Sequence, residues 1–442
     1  MTNPKEHLGS ISTVGSQLKN MALALAAVFL PVLVALPSAQ AQFKLLYTFS
    51  GGADGGIPYG RVITDTSGNI YGTTFWGGNL NCNSGNGCGV VYKLAKAGTE
   101  TVLYSFAGGP KDGAFPYTAL IMDASGNFYG TTTAGGSASG CLGSGCGTVF
   151  KLNAQGQETV LYNFTGGADG GEPYSALISD AAGNFYGTTL VGGDLTCNSP
   201  VGCGVVYKIT PAGTQTVLYS FTGGTDGAYP ELDSLAMDAK GNLYGTTKGG
   251  GDPTCACGVV FKMAKGGKMI KGGKPIVLHI FKGGPKDGRF PLSGVTLTVK
   301  GSVLGTAANG GANDKGVLFK MSTLGKNFVD LHDFGAGTDG SSPFAGVNVC
   351  SNGSIVGSTS TGGSNFYYGT IFTVNSAKKE TVLYDYDGSF GGGVPVATFA
   401  WKRDGAENTF FATASQGGNI NGMNGSGTVG GYNSDNREQC HH

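Results

Sequence analysis

The sequence predicts an all-β, seven-bladed β-propeller with four-stranded antiparallel blades, closed by its own N-terminal strand. Three observations carry this. Glycine supplies 82 of 442 residues and recurs in GG pairs rather than at every third position, which separates the chain from ordinary globular composition and from collagen alike. A phrase of the form L-Y-x-F returns seven times with a period of about 52 to 60 residues, the length of one blade with its loops. Each period holds four short runs of apolar, β-branched and aromatic residues bounded by Gly, Asn and Asp, the signature of short strands and tight turns.

The N-terminus reads as a signal peptide over residues 1–41. Lys5 and Lys19 give a weakly basic leader, Met21 to Leu36 is an apolar run interrupted by Pro31, and Ala39-Gln40-Ala41 is an A-x-A cleavage site. The run is short for a membrane span of ~20 residues. The mature chain is expected to begin at Gln42, with no transmembrane span once the signal is removed. It is expected to be secreted, periplasmic or cell-surface. Charges cancel at 28 basic and 28 acidic, so there is no electrostatic case for a nucleic-acid partner. A content of 40% hydrophobic residues supports a core and argues against disorder.

The repeats follow in order. L-Y-x-F stands at Leu46–Phe49, Leu103–Phe106, Leu161–Phe164 and Leu218–Phe221, then drifts to Leu278–Phe281, Leu331–Phe334 and Leu383–Tyr386. The second period shows the strand order: Thr118–Asp123, Phe128–Thr132, Gly147–Leu152 and Glu158–Phe164. Between the first two lies a D-x-x-G-N turn. There Asp65, Asp123, Asp180 and Asp238 accept bonds from the turn backbone, and the following Gly takes a positive φ. Units of strands one to three begin near Ile57, Phe115, Glu172, Tyr229, Phe290, Ser342 and Val394. The first fourth-strand signal, Lys44–Phe49, precedes them all, and the last unit has none after it. The N-terminal strand must therefore complete blade seven, which leaves no open seam. The propeller spans 42–432, followed by a C-terminal tail at 433–442.

Strand order fixes the faces. Loops between strands two and three share a top face with the links between blades. Four close cysteine pairs fall there: Cys82/Cys88, Cys141/Cys146, Cys197/Cys203 and Cys255/Cys257. In an exported chain they read as local disulfides, since a zinc site would need further ligands nearby. Cys350 ends a first strand at the bottom of blade six, and Cys440 lies in the tail leaving blade seven. A Cys350–Cys440 bridge is expected to pin that tail.

Tyr71-Gly-Thr-Thr74, Tyr129-Gly-Thr-Thr132, Tyr186-Gly-Thr-Thr189 and Tyr244-Gly-Thr-Thr247 follow the D-x-x-G-N turns. With G-V-V-Y-K and L-Y-x-F-x-G-G-x-D-G-x-x-P, they resemble the GloVer tandem repeat family of bacterial exported proteins. The resemblance covers nearly all of the mature chain and degrades through Leu304-Gly-Thr-Ala307, Val356-Gly-Ser-Thr359 and Phe411-Ala-Thr-Ala414. It implies an extracellular repeat protein and assigns no catalytic role.

Motifs of nucleophilic catalysis, zincins and P-loops do not occur. His279 and His332 replace the repeat Tyr in outer strands and read as repeat drift. Asp54, Asp112, Asp169, Asp226, Asp287 and Asp339 each precede Gly and lie four residues before Pro. Six carboxylates at one loop position invite a calcium reading. Calcium needs six to eight oxygens around one ion, so any ion would be held within a single loop. The competing reading makes each Asp the cap of its own turn. Departures from the repeat mark candidate ligand-binding residues. Trp76 replaces small residues in the top loop of blade one, and Phe366-Tyr367-Tyr368 occupies that of blade six. Exposed aromatics suit a sugar or peptide surface, and the alternative is that they cover their own loop bases. Lys262, Lys265, Lys268, Lys271 and Lys274 form an enlarged bottom loop in blade four, either a contact for acidic polymer or a solvated loop.

These features point to an exported, monomeric, non-catalytic propeller that binds carbohydrate, peptide or a cell-surface protein through its top face, with no cofactor except a candidate calcium. The rivals are a propeller hydrolase or lyase using axial carboxylates, and a structural envelope or matrix protein.

Overall fold

Each repeat forms its own antiparallel sheet, and chain order equals order within the sheet. The computed structural model describes residues 43–137, 141–232, 235–265, 274–364, 366–388, 392–404, 407–417, 419–420, 423–424, 426–434 and 440–441. The signal-peptide assignment lies outside them. In blade two the strands are Ile121–Met122, Phe128–Thr132, Thr148–Leu152 and Glu158–Asn163. Blade seven takes Ala400–Asp404, Glu407–Ala414 and Thr428–Ser434 from the end of the chain and Phe43–Thr48 from its start. Phe43 pairs with Tyr432 and Thr48 with Thr428, antiparallel. The N-terminal strand therefore closes the ring.

The core lies between blades. Seven apolar clusters of described residues each draw on two neighbouring blades, one cluster per seam. At six seams the Phe that ends an outer strand meets the third-strand ring of the next blade edge-on. The centroid distances run from 4.9 Å for Phe49–Tyr92 to 5.3 Å for Phe281–Phe319, within the preferred range for T-shaped pairs. The Gly of Y-G-T-T makes room for that third-strand ring. A Cβ at Gly72 would lie 2.5 Å from the Tyr92 hydroxyl, and one at Gly130 would lie 2.7 Å from Phe150.

The two Thr of Y-G-T-T have different tasks. The first ties neighbouring blades. Thr73 Oγ1 donates to the Thr118 carbonyl at 3.0 Å, Thr131 to Ser175 at 3.2 Å, Thr246 to Ser293 at 2.7 Å and Thr306 to Ala345 at 2.8 Å. Thr413 makes the same bond to Gly60 at 3.2 Å, across the closing seam. The second Thr works inside its blade: Thr74 Oγ1 donates to the Trp76 carbonyl and accepts from the Val90 amide. All these groups are buried, so each bond answers a polar atom that water cannot reach.

The structure refines the sequence expectation in three places. Inner strands of blades one to six are only two or three residues long, with carbonyls just before several of them claimed by the threonines of adjacent blades. Blade six has a fifth strand, Cys440–His441, on the axial edge of Asn348–Cys350. Cys440 lies opposite Cys350, and Cys350 is disulfide-bonded, so the tail turns onto the axial edge. The residue before each link proline is left-handed: Ile57, Phe115, Glu172, Tyr229, Phe290, Ser342 and Val394 have φ of 53–61°. That conformation is costly for side chains with a Cβ, above all β-branched ones. It is held by a bond on each side. The Phe115 amide donates to the Cys88 carbonyl of the preceding blade, and the Phe115 carbonyl accepts from Thr133 of its own.

Candidate functional site: the top mouth of the axial channel

Inner segments of six blades, all but blade two, line a cavity of about 260 Å³, with Arg61, Ile178, Met237, Leu297, Thr296 and Thr398 among the lining residues. Beside it the chain turns at each link proline, and the residue after that proline is Tyr59, Tyr117, Tyr174, Glu231, Leu292, Phe344 or Val396, all half-buried. Tyr59, Tyr117 and Val396 line one small cavity with Arg61.

In blades one to three they join an aromatic cluster. Tyr59 and Tyr117 stack at 4.3 Å, and Tyr117 meets Tyr174 edge-on at 5.2 Å. Phe75 packs on Tyr59 at 5.6 Å, on Phe115 at 5.0 Å and on Tyr117 at 5.8 Å, with Trp76 at 6.0 Å. Trp76 is 37% exposed at the outer margin of this set. Burial raises the Tyr117 hydroxyl pKa, and the neighbouring Tyr59, Tyr174 and Glu231 add to it. Tyr174 is raised by burial, then by Glu172 and Glu231. The phenols are therefore neutral donors at physiological pH. Burial also pushes the Glu172 carboxyl up. Glu231 is paired with Lys248 at 3.1 Å.

Sequence reasoning singled out Trp76 but missed Tyr59, Phe75, Phe115, Tyr117 and Tyr174. The signal was present in Pro58-Tyr59, Pro116-Tyr117 and Pro173-Tyr174, which blades four to seven do not repeat. Phe366 and Tyr367 are 72% and 74% exposed on blade six, two blades around the ring from Trp76, so the structure does not join them to that cluster. Tyr368 turns inward: a Cβ at Gly393 would lie 2.6 Å from its ring, and it packs in the seam between blades six and seven.

The six link aspartates sit elsewhere, each in its own blade link, where they brace the outer rim. Asp54, Asp112, Asp169 and Asp226 accept from the hydroxyls of Tyr47, Tyr104, Tyr162 and Tyr219 at 3.1, 3.1, 3.0 and 2.8 Å. Asp287 and Asp339 meet His279 and His332 Nε2 at 3.0 and 2.9 Å. The two histidines thus take over the bond of the tyrosines they replace. Amides of Ser50, Ala107, Thr165, Thr222 and Lys282 also donate to these carboxylates. Among the described residues no three His, Cys, Asp or Glu gather as a metal-holding group. Four local disulfides join the cysteine pairs expected from spacing. Of the lysine run, Lys262 lies 4.8 Å over the Tyr244 ring, and Lys268 and Lys271 lie outside the described residues.

The fold and the repeating seams define a β-propeller repeat protein. The chain belongs to the Gloeobacter/Verrucomicrobia repeat family, whose profile matches residues 31–256 and 233–441. No protein of curated function matches it. Among solved structures it resembles an oligogalacturonate lyase in complex with manganese, at 11% identity and TM-score 0.52, over 90% of this chain and 94% of that one. It also resembles the GH74 enzyme of Niastella koreensis, at 15% identity and TM-score 0.50, over 83% of this chain and 52% of that one. TolB from Acinetobacter baumannii matches at 12% identity and TM-score 0.34, over 67% of this chain, which spans 61% of TolB. At these identities the likeness is one of fold. No helix among the described residues is long and apolar enough to cross a membrane.

Proposed function

We propose that this protein is an exported, monomeric, non-catalytic propeller that binds carbohydrate at its top mouth. The observation that carries the reading is the aromatic cluster of Tyr59, Phe75, Trp76 and Tyr117 beside the mouth of the axial cavity. Sugar rings present apolar C–H faces that pack on aromatic rings, while their hydroxyls take bonds from phenols and carboxylates. Glu172, Glu231 and Lys248 supply polar partners at the margin. Peptide or protein recognition on the same surface is the nearest competitor.

A glycan and peptide array with the purified chain tests this. Trp76→Ala and Tyr117→Ala should each weaken glycan binding about tenfold, roughly 1.4 kcal/mol, with the unfolding midpoint of Trp76→Ala unchanged. Binding that survives both changes overturns the reading. A hydrolase or lyase is favoured only by the half-buried Glu172 and Glu231 beside Tyr174. Product release from oligosaccharides that disappears in Glu231→Gln would establish it.

A further inference from the structure

Blade four departs from its sisters on the top face, away from the aromatic cluster. We propose that Cys255–Cys257 is a redox-active disulfide that exchanges with small anionic thiols, while the other three top-loop disulfides are structural.

Four observations support this. The first is loop size: Cys255 and Cys257 are two positions apart, against five or six in blades one to three. Closing a shorter loop removes less entropy from the opened chain, so the smallest ring is the least protected from opening. The second is cover. In blades one to three a link glycine presses on both sulfurs. A Cβ at Gly108 would lie 3.0 and 3.3 Å from those of Cys82 and Cys88, one at Gly166 2.7 and 2.8 Å from those of Cys141 and Cys146, and one at Gly223 2.5 and 3.3 Å from those of Cys197 and Cys203. In blade four the corresponding Gly283 approaches only Cys257, at 3.5 Å. The third is space: both cysteines line a cavity of about 410 Å³ between blades four and five. The fourth is charge. Lys282 and Arg289 line the same cavity, where blade two has Ala107 and Ala114. Arg289 is held by Asp314 at 2.7 Å, while Lys282 is exposed on the cavity and helps hold the Asp252 carboxyl down. A cation lining the cavity attracts an incoming thiolate.

The step balances without an external oxidant. A thiol R–SH attacks Cys255 Sγ. The R–S–S–Cys255 bond forms as the Cys255–Cys257 bond breaks, and the proton lost by the attacking thiol ends on Cys257 Sγ. A second thiol, of the same or another molecule, then displaces Cys255, and its proton passes to Cys255 Sγ. Two substrate thiols become one disulfide, and the pair is left as two thiols. Reduced Cys255 has a partner ready, since its sulfur lies 3.8 Å from the Phe281 carbonyl.

The test treats the folded chain with reduced glutathione or with neutral 2-mercaptoethanol, followed by alkylation and peptide mapping. Cys255 and Cys257 should be labelled at least tenfold faster than the other three top-loop pairs. Lys282→Gln with Arg289→Gln should slow opening by glutathione several-fold and opening by 2-mercaptoethanol, whose thiolate carries less charge, distinctly less, with an unchanged unfolding midpoint as the folding control. If the midpoint falls, Lys282→Gln alone, which removes no ion pair, gives the same comparison. Equal labelling of all four pairs, or an equal effect of the substitutions on both thiols, overturns the proposal. Glycan binding is read separately, so neither result bears on the other reading.

Discussion

Glu100, Glu158 and Glu380 each begin an outer strand and lean against the brace of the preceding blade. Burial pushes each up to about 7, and the nearby carboxylate adds to it: Asp54 for Glu100, Asp112 for Glu158 and Asp339 for Glu380. Tyr47, Tyr104 and His332 are the other groups in these braces. In each glutamate Oε1 is buried with no hydrogen-bond partner. A carboxyl raised in the fold favours folding when protonated and opposes it when ionised, so its contribution is fully present below the unfolded value of 4.5 and is lost as pH rises from there through about 7. A rise from 4.5 to about 7 corresponds at full weight to roughly 3.4 kcal/mol per group. These side chains are half in solvent, and screening reduces that to about 1 kcal/mol each, or about 3 kcal/mol together. His332, also raised, and Asp330, pushed up to about 6, act in the same direction, so the diagnostic quantity is a difference between proteins. The protein already contains the comparison residue: Gln215 occupies this position in blade three and donates to the Asp169 carbonyl at 3.2 Å. The triple change to Gln should therefore gain about 3 kcal/mol over wild type at pH 8.5, progressively less through pH 5.5, and little at about pH 4 in urea denaturation. Parallel pH profiles for the two proteins, or a wild type more stable at pH 8.5 than at 5.5, would refute the reasoning.

Other outcomes follow from the same contacts. Thr413→Val removes the bond to Gly60 and strands a buried carbonyl. It should cost about 1–2 kcal/mol and speed amide exchange in Phe43–Thr48 ahead of Glu158–Asn163. A chelator should leave the unfolding midpoint unchanged, since the link aspartates already receive hydroxyl and amide donors. A drop restored by calcium would instead establish an ion in those loops. Cys350→Ser should free the segment after residue 434 to proteolysis while shifting the unfolding midpoint little, and a tail that stays protected would show that strand pairing alone holds it.

The ring was legible because its evidence is repetition. Seven outer-strand phrases against seven three-strand units leave one topology, and the Tyr432–Phe43 pairing realises it. The D-x-x-G-N turn was legible for the same reason: Asp123 accepts from the Asn127 amide at 2.9 Å and from Tyr129 at 3.1 Å. The candidate site was harder to read. Trp76 stood out as a departure from its sisters, but its neighbours are residues 59, 75, 115, 117 and 174, brought together by blade rotation and by a left-handed residue before each proline. No local propensity announces that conformation at Ile57 or Val394, because it is imposed by carbonyls of the adjacent blade. The histidines looked like drift because their partners, Asp287 and Asp339, lie past the strand end.

The strand borrowed by blade seven has a temporal meaning. Phe43–Thr48 leaves the ribosome before any blade is complete, and its partner Thr428–Ser434 only after six blades have been made. The sheets of blades one to five can assemble from contiguous sequence as it emerges, whereas this one pairs a strand that precedes blade one with strands made after blade six. A chain interrupted anywhere before residue 428 keeps a naked edge at each side of the gap, open to pairing with other molecules. The latch thus works as a check on the ring: only a copy that has made all seven blades loses its stickiness.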